Sequence, residues 1–284
     1  MNIAYLGPEG TFTHVALQHA VASGMQITNT IEKQSLDQLF DGLLANEYDA
    51  IFCPIENSIE GPVNRVLDSI THTNTYIDSL FTMPIQQSLL SFGQPTLQNI
   101  EHIVSMPHAI AQCYTFIHTH CPNASIHHAT STTASLTTLE ALNLPKNTSV
   151  IIGHKGIANL HPINIIETNI QDQKENTTQF CVIKHGKHTT TTPDNNHYCT
   201  LAFSTHKDEP GSLLKVLDIF KAHNINLTKI LSRPEKTESG TYIFYVEFNI
   251  SVTNSTIDPI MQRIQDNTLF FKPLGYYKKE TLHD

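Results

Sequence analysis

The sequence has no tryptophan, and it has little positive charge in its longer part. Residues 1–197 hold 7 Lys or Arg against 16 Asp or Glu, and only one of the 7, Arg65, is an arginine. The remaining 87 residues balance at 10 and 10, so the whole net charge of −9 belongs to the longer part. Such a distribution excludes a basic nucleic-acid face. No apolar run approaches the ~20 residues of a membrane helix. The start, "MNIAYLGPEG", reads as strand and turn rather than a basic leader with a cleavage site. A cytoplasmic protein with neither membrane nor nucleic-acid partners is expected. Cysteine is scarce and odd in number: Cys53, Cys113, Cys121, Cys181 and Cys199. With no CxxC among them, they read as buried reduced thiols. The 17 histidines include no HExxH, so neither a metal site nor a cofactor is expected.

What is present is alternation. "NIAYL" (2–6), "QITNTI" (26–31) and "DAIFCPI" (49–55) read as strands, separated by the helical patterns 11–23 and 35–46. In the second helix Ser35 is the N-cap, and Leu36, Leu39, Phe40, Leu43 and Leu44 recur at helical spacing. This β-α-β-α-β rhythm predicts a parallel sheet with helices on both faces. A second unit follows, with a long extended run at 81–92, strands at 102–106, 125–129 and 149–153, and helices at 108–120 and 131–142. "INIIET" (163–168) and "TQFCVIKH" (178–185) return as strands. The expected architecture is α/β with two lobes, one at about 1–77 and 161–184, the other at about 78–160, and a cleft between them. The Thr-rich stretch 185–197 reads as a linker. Residues 198–284 read βαββαβ, a small ferredoxin-like sheet with both helices on one face. Its edge strands are rich in Ile, Tyr and Phe, which suits pairing with a second copy.

The strand ends carry hydroxyls and amides. "GPEGTFT" (7–13) brings Thr11, "PIENSIEGPV" (54–63) brings Glu56, Asn57 and Ser58, and "ATSTTA" (129–134) brings Ser131 and Thr132. N-capping explains each one alone. Their recurrence where strands run into helices describes an anion pocket built from helix N-termini and neutral donors.

Together with "NTTQF" (176–180), these segments resemble the GPxGTFS, PIENSxxG, STxxA and NxTRF motifs of the prephenate dehydratase family, in order and spacing. "GSLLKVLDIF" and "INLTKILSRP" resemble the GAL and ESRP motifs of the accompanying ACT regulatory domain. The resemblance covers nearly the whole chain. It implies a catalytic domain over 1–184, two-lobed and similar to type II periplasmic binding proteins, and an ACT domain over 198–284. The implied reaction converts prephenate to phenylpyruvate, CO2 and water in phenylalanine biosynthesis, with feedback by L-phenylalanine. The implied assembly is a homodimer or homotetramer through the ACT domains. By the same resemblance Thr178 is the catalytic residue, assisting the leaving hydroxyl. Thr11, Asn57, Ser58, Ser131, Thr132, Gln179 and Phe180 are the implied substrate contacts. Gly211, Ser212, Leu213, Asn226, Leu227, Ser232 and Arg233 form the implied phenylalanine site. An arogenate dehydratase and a catalytically impaired amino-acid sensor are the competing readings.

Four places depart from the family motifs. Gln179 stands for the arginine of TRF, and Leu231 for the glutamate of ESRP. Met106 and His108 stand for the histidine and glutamine of SHPQA, and Ser212 for the alanine of GAL. An arginine at 179 would pair either with a substrate carboxylate or with an acidic neighbour that stiffens the site; on the second reading Gln179 relaxes a structural link, and on the first dianion binding falls to helix N-termini, hydroxyls and Lys155 or Arg65. Restoring arginine at 179 is then expected to tighten substrate binding.

Overall fold

The computed structural model describes residues 1–187, 197–205, 210–235, 241–250 and 257–282, so most of the expected linker lies outside the described residues. The first lobe comprises β1 (Asn2–Leu6), α1 (Phe12–Ala22), β2 (Asn29–Lys33), α2 (Leu36–Leu44), β3 (Ala50–Asn57), β4 (Gly61–Pro62), α3 (Asn64–His72) and β5 (Thr75–Pro84). The second comprises β6 (Ser88–Ser91), β7 (His102–Ser105), α4 (Pro107–Gln112), α5 (Tyr114–His120), β8 (Ser125–His128), α6 (Thr132–Ala141), β9 (Ser149–Gly153) and β10 (Asn164–Thr168). The chain returns to the first lobe with β11 (Thr177–His185). The C-terminal unit is β12 (Tyr198–Ser204), α7 (Ser212–Ala222), β13 (Leu227–Pro234), β14 (Tyr242–Asn249), α8 (Asp258–Asp266) and β15 (Phe270–Thr281).

Strand order in the larger sheet is β13-β14-β12-β15-β5-β11-β3-β1-β2, and in the smaller sheet β10-β6-β9-β7-β8. The expected lobe boundaries therefore move. β10 falls inside the stretch assigned to the first lobe, yet it pairs antiparallel with β6 of the second. β5 runs on to Pro84, paired along its length with β11. The extended run at 81–92 breaks at 85–87 because its amides leave the ladders there. Ile85 N bonds to Asn176 O at 2.8 Å and Gln87 N to Gln171 Oε1 at 2.9 Å, which stitches the two crossing segments together.

The larger sheet is covered on both faces. β11 alternates, as strand geometry requires: Phe180 and Val182 join the core under α1, while Cys181 and Ile183 join the core that includes Leu39, Leu43, Val66 and Ile70. That second core also takes in Ala202, Ile243, Tyr245 and Tyr277 of the C-terminal unit, which thus packs directly on the first lobe. The C-terminal unit is the expected antiparallel βαββαβ arrangement. One element goes further than expected. The end of β15 leaves β12 and pairs in parallel with β5, from Lys278 opposite Ser79 to Thr281 opposite Thr82. Gly275 permits the transfer, since a Cβ there would sit 2.2 Å from Ile77 O. All five cysteines are free and buried. Among the described residues no helix is long and apolar enough to cross a membrane.

Candidate active site

A cavity of about 470 Å³ opens between the lobes at the ends of β1, β3 and β11. The first lobe lines it with Thr11, Thr13, Glu56, Asn57, Thr178 and Phe180. The second lobe lines it with Met106, His108, Gln112, Ser131 and Thr132. Contacts between the lobes close one side of it. Thr133 Oγ1 donates to Glu9 O at 2.6 Å, and the Phe12 and His154 rings meet edge to face with centroids 5.4 Å apart.

Thr178 is the best-oriented group in this cavity. It is 8 % exposed, and its Oγ1 accepts from Asn57 Nδ2 at 2.9 Å. The Asn57 amide cannot turn over freely. Its Oδ1 already accepts from Ile59 N at 2.9 Å and Glu60 N at 3.0 Å, in the turn that follows β3. Its Nδ2 also reaches Asn176 Oδ1 at 2.8 Å. Asn57 therefore occupies an acceptor site of the Thr178 hydroxyl and leaves the hydroxyl proton for another partner. Beside Thr178, Phe180 stacks on Phe52, with centroids 5.6 Å apart and planes 5° apart, which gives the cavity a rigid apolar wall.

Other expected contacts help to hold the site together. Thr11 Oγ1 donates to Pro8 O at 2.8 Å and accepts from His14 N at 3.4 Å, as the N-cap of α1. Ser131 Oγ accepts from Ala134 N at 2.9 Å, capping α6. What these helices present to the cavity is the unpaired N–H groups of their first turns, at the positive end of the helix dipole. Thr132 is buried against Gly153, where an added Cβ would meet its Cγ2 at 2.0 Å. Ser58 does not line the cavity. Its Oγ accepts from Thr177 N at 3.0 Å and so braces the approach to Thr178.

Gln179 is placed differently from expectation. Adjacent residues on a strand face opposite ways, so with Thr178 in the cleft Gln179 points to the C-terminal unit. It lines a separate cavity of about 20 Å³, together with Lys229, Leu231, Tyr245, Glu247 and Tyr277. Two of the departures from the family motifs, Gln179 and Leu231, thus share one small space. Neither cation expected to bind substrate lines the cleft: Arg65 pairs with Asp37 at 2.5 Å on the surface, and Lys155 is not on the cleft wall.

The residues of the expected phenylalanine site divide by strand parity. Gly211 adopts φ 88° ahead of α7, with Ser212 and Leu213 half-buried behind it. Asn226 and Ser232 are exposed, while Leu227 packs on the core beneath α7 and α8. Arg233 instead turns to the first lobe, where it pairs with Asp68 and donates to Asn64 O at 3.0 Å. Two further contacts escaped sequence reasoning. Lys229 Nζ meets Glu56 Oε2 at 2.6 Å, and Lys272 Nζ donates to Ile70 O and Thr73 O at the C-terminal end of α3. The only sequence signal for them was the acidic imbalance of the longer part, which these cations of the C-terminal unit answer.

Two α/β lobes around a cleft, followed by a ferredoxin-like unit packed on one lobe, define a cleft enzyme with an appended domain. The chain belongs to the prephenate dehydratase family: that family's model matches residues 3–188, and the ACT domain model matches residues 200–264. A prephenate dehydratase of Bacillus subtilis (strain 168) is 30 % identical over 300 residues, covering 99 % of this chain and 100 % of that protein. A bifunctional chorismate mutase/prephenate dehydratase of Aquifex aeolicus (strain VF5) is 30 % identical over 284 residues, covering all of this chain and 75 % of that one. The solved structure of prephenate dehydratase from Arthrobacter aurescens, in complex with L-Phe, superposes with a TM-score of 0.85 at 28 % identity, covering 98 % of this chain and 90 % of that one.

Proposed function

We propose that the cleft binds the prephenate dianion and converts it to phenylpyruvate, carbon dioxide and water, with Thr178 as the catalytic hydrogen-bond donor. Breaking the ring-to-carboxylate bond sends its electron pair into the ring, and the ring expels hydroxide as it becomes aromatic. Hydroxide takes up one proton from the medium, so the dianion plus one proton yields the phenylpyruvate anion, CO2 and water. A threonine hydroxyl has no accessible ionisation and is not a strong acid. It serves as a fixed donor where negative charge develops, a role for which a single donor contributes ~2.7–4 kcal/mol in a site shielded from water. The observation that carries this reading is the Asn57–Thr178 contact, which uses an acceptor side of the hydroxyl and leaves its proton for another partner. Helix N-termini at Phe12–Thr13 and Thr132–Thr133 suit the substrate carboxylates, and Phe180 offers the ring a flat wall.

The C-terminal unit binds L-phenylalanine as a feedback effector, around Gly211–Leu213, Asn226 and Ser232, with copies of the chain associated side by side. An L-Phe complex of the Arthrobacter aurescens relative supports the effector. The edge position of β13, with Ile230 52 % exposed, supports the association.

The test follows phenylpyruvate formation from prephenate, with arogenate in parallel and with phenylalanine added. Thr178→Val keeps the branched strand residue and removes the donor. It should lower kcat by ~10²–10³ while the thermal midpoint holds. Turnover equal to that of the unsubstituted protein would refute the assignment.

A further inference from the structure

The cleft is short of positive charge. A dianionic substrate must enter it, yet among the described residues neither lysine nor arginine lines its wall, and the charged side chains that do are Glu56 and Glu60. Lys229 offsets Glu56 from the ACT side, at 2.6 Å. Helix N-termini contribute partial charges only. Among the described residues the one basic side chain on the wall is His108.

We infer that His108 binds a carboxylate of the substrate from the second lobe, with an imidazole N–H donating to a carboxylate oxygen. This rests on the reading of the cleft as the prephenate site. Both Met106 and His108 line the cleft. His108 is exposed at the cleft mouth, where a ligand can reach it. The charged groups that face it are Glu56 and Glu60 across the cleft, and its neighbours on its own lobe, Met106, Gln112 and Ser131, are neutral. An imidazole N–H so placed gives the carboxylate a hydrogen bond to an ionised acceptor, stronger than one between neutral groups.

The test is KM for prephenate, with the uncatalysed rate subtracted and the thermal midpoint checked. His108→Leu, which removes the donor, should raise KM about tenfold, the ratio that one charge-assisted hydrogen bond supplies. His108→Lys, which keeps a donor at the position, should hold KM low. A leucine variant with the KM of the unsubstituted protein, or a lysine variant as weak as the leucine one, overturns the inference while the function stands. Absence of prephenate turnover by the unsubstituted protein overturns the functional reading, and this inference with it.

Discussion

Replacing Gln179 by arginine should weaken the fold and leave substrate affinity alone. The side chain would enter the cavity of about 20 Å³ between β11 and the ACT sheet, space for a single water. The nearby carboxylates are already engaged: Glu56, its partner across the strand pair, holds Lys229 at 2.6 Å. Glu247 already accepts from Lys279 Nζ at 2.5 Å, Thr228 Oγ1 at 2.7 Å and Tyr277 Oη at 2.8 Å. Lys229 stands on the same wall and would repel a second cation. An uncompensated buried charge costs ~3–5 kcal/mol, and because Gln179 is only half-buried the lower end, about 3 kcal/mol, applies. For a chain of this size that lowers the thermal midpoint by roughly 6–10 °C. Leu231→Glu should cost about 2–3 kcal/mol by the same reasoning. The double substitution restores the motif pair, a cation and an anion in one space, and should recover about 2–3 kcal/mol as coupling energy. Urea unfolding of the four proteins, with prephenate kinetics beside it, gives the complete cycle. Additive losses would refute the pairing of the two positions. A lower KM in Gln179→Arg at unchanged stability would place the residue back in the cleft.

Two further perturbations address how the ACT unit is held. Gly275→Ala sets a Cβ 2.2 Å from Ile77 O, so β15 must part from β5. Residues 278–282, including the buried Leu282, should then lose hydrogen-exchange protection, with a destabilisation of about 3 kcal/mol or more. Unchanged protection would refute the shared strand as a joint. Burial lowers the pKa of Lys272 from 10.5 to about 8. Between those values the folded state binds fewer protons than the unfolded one, so stability should rise as pH rises through that window. Lys272→Met should lack this rise, read as urea midpoints at about pH 8 and about pH 10. An equal rise in both proteins would assign it to other groups.

The layers and most elements were legible because they follow from local periodicity. β1, α1, α2 and β3 alternate within one lobe, and β12 to β15 repeat the βαββαβ pattern, with helices at period 3.6 and strands buried in runs. Thr178 and Asn57 were legible only as members of motifs, since nothing local distinguishes either from a strand threonine or a turn asparagine. What stayed hidden is non-local. The pairing of Lys278 with Ser79 leaves no trace in either segment, and neither does that of Asn164 with Ser91. Gln179 was misplaced for a more instructive reason. A motif written as consecutive letters suggests one site, but consecutive residues on a strand serve opposite faces. NTTQF therefore contributes Thr178 and Phe180 to the cleft and Gln179 to the ACT interface.

That division places both interfaces on a single strand pair. Glu56 and Gln179 are partners across β3 and β11, and Asn57 and Thr178 are the next partners along. Lys229 of the ACT sheet holds Glu56, and Asn57, one residue further, holds Thr178. A displacement of β13 that parted Lys229 from Glu56 would leave an unmatched carboxylate on the wall of a cleft that must admit a dianion. At about 4 Å two like charges repel by ~4 kcal/mol at the effective dielectric of a protein surface, enough to lower affinity severalfold even when largely screened. An effector on the ACT unit could thus inhibit through the charge of Glu56 without moving the hydroxyl of Thr178.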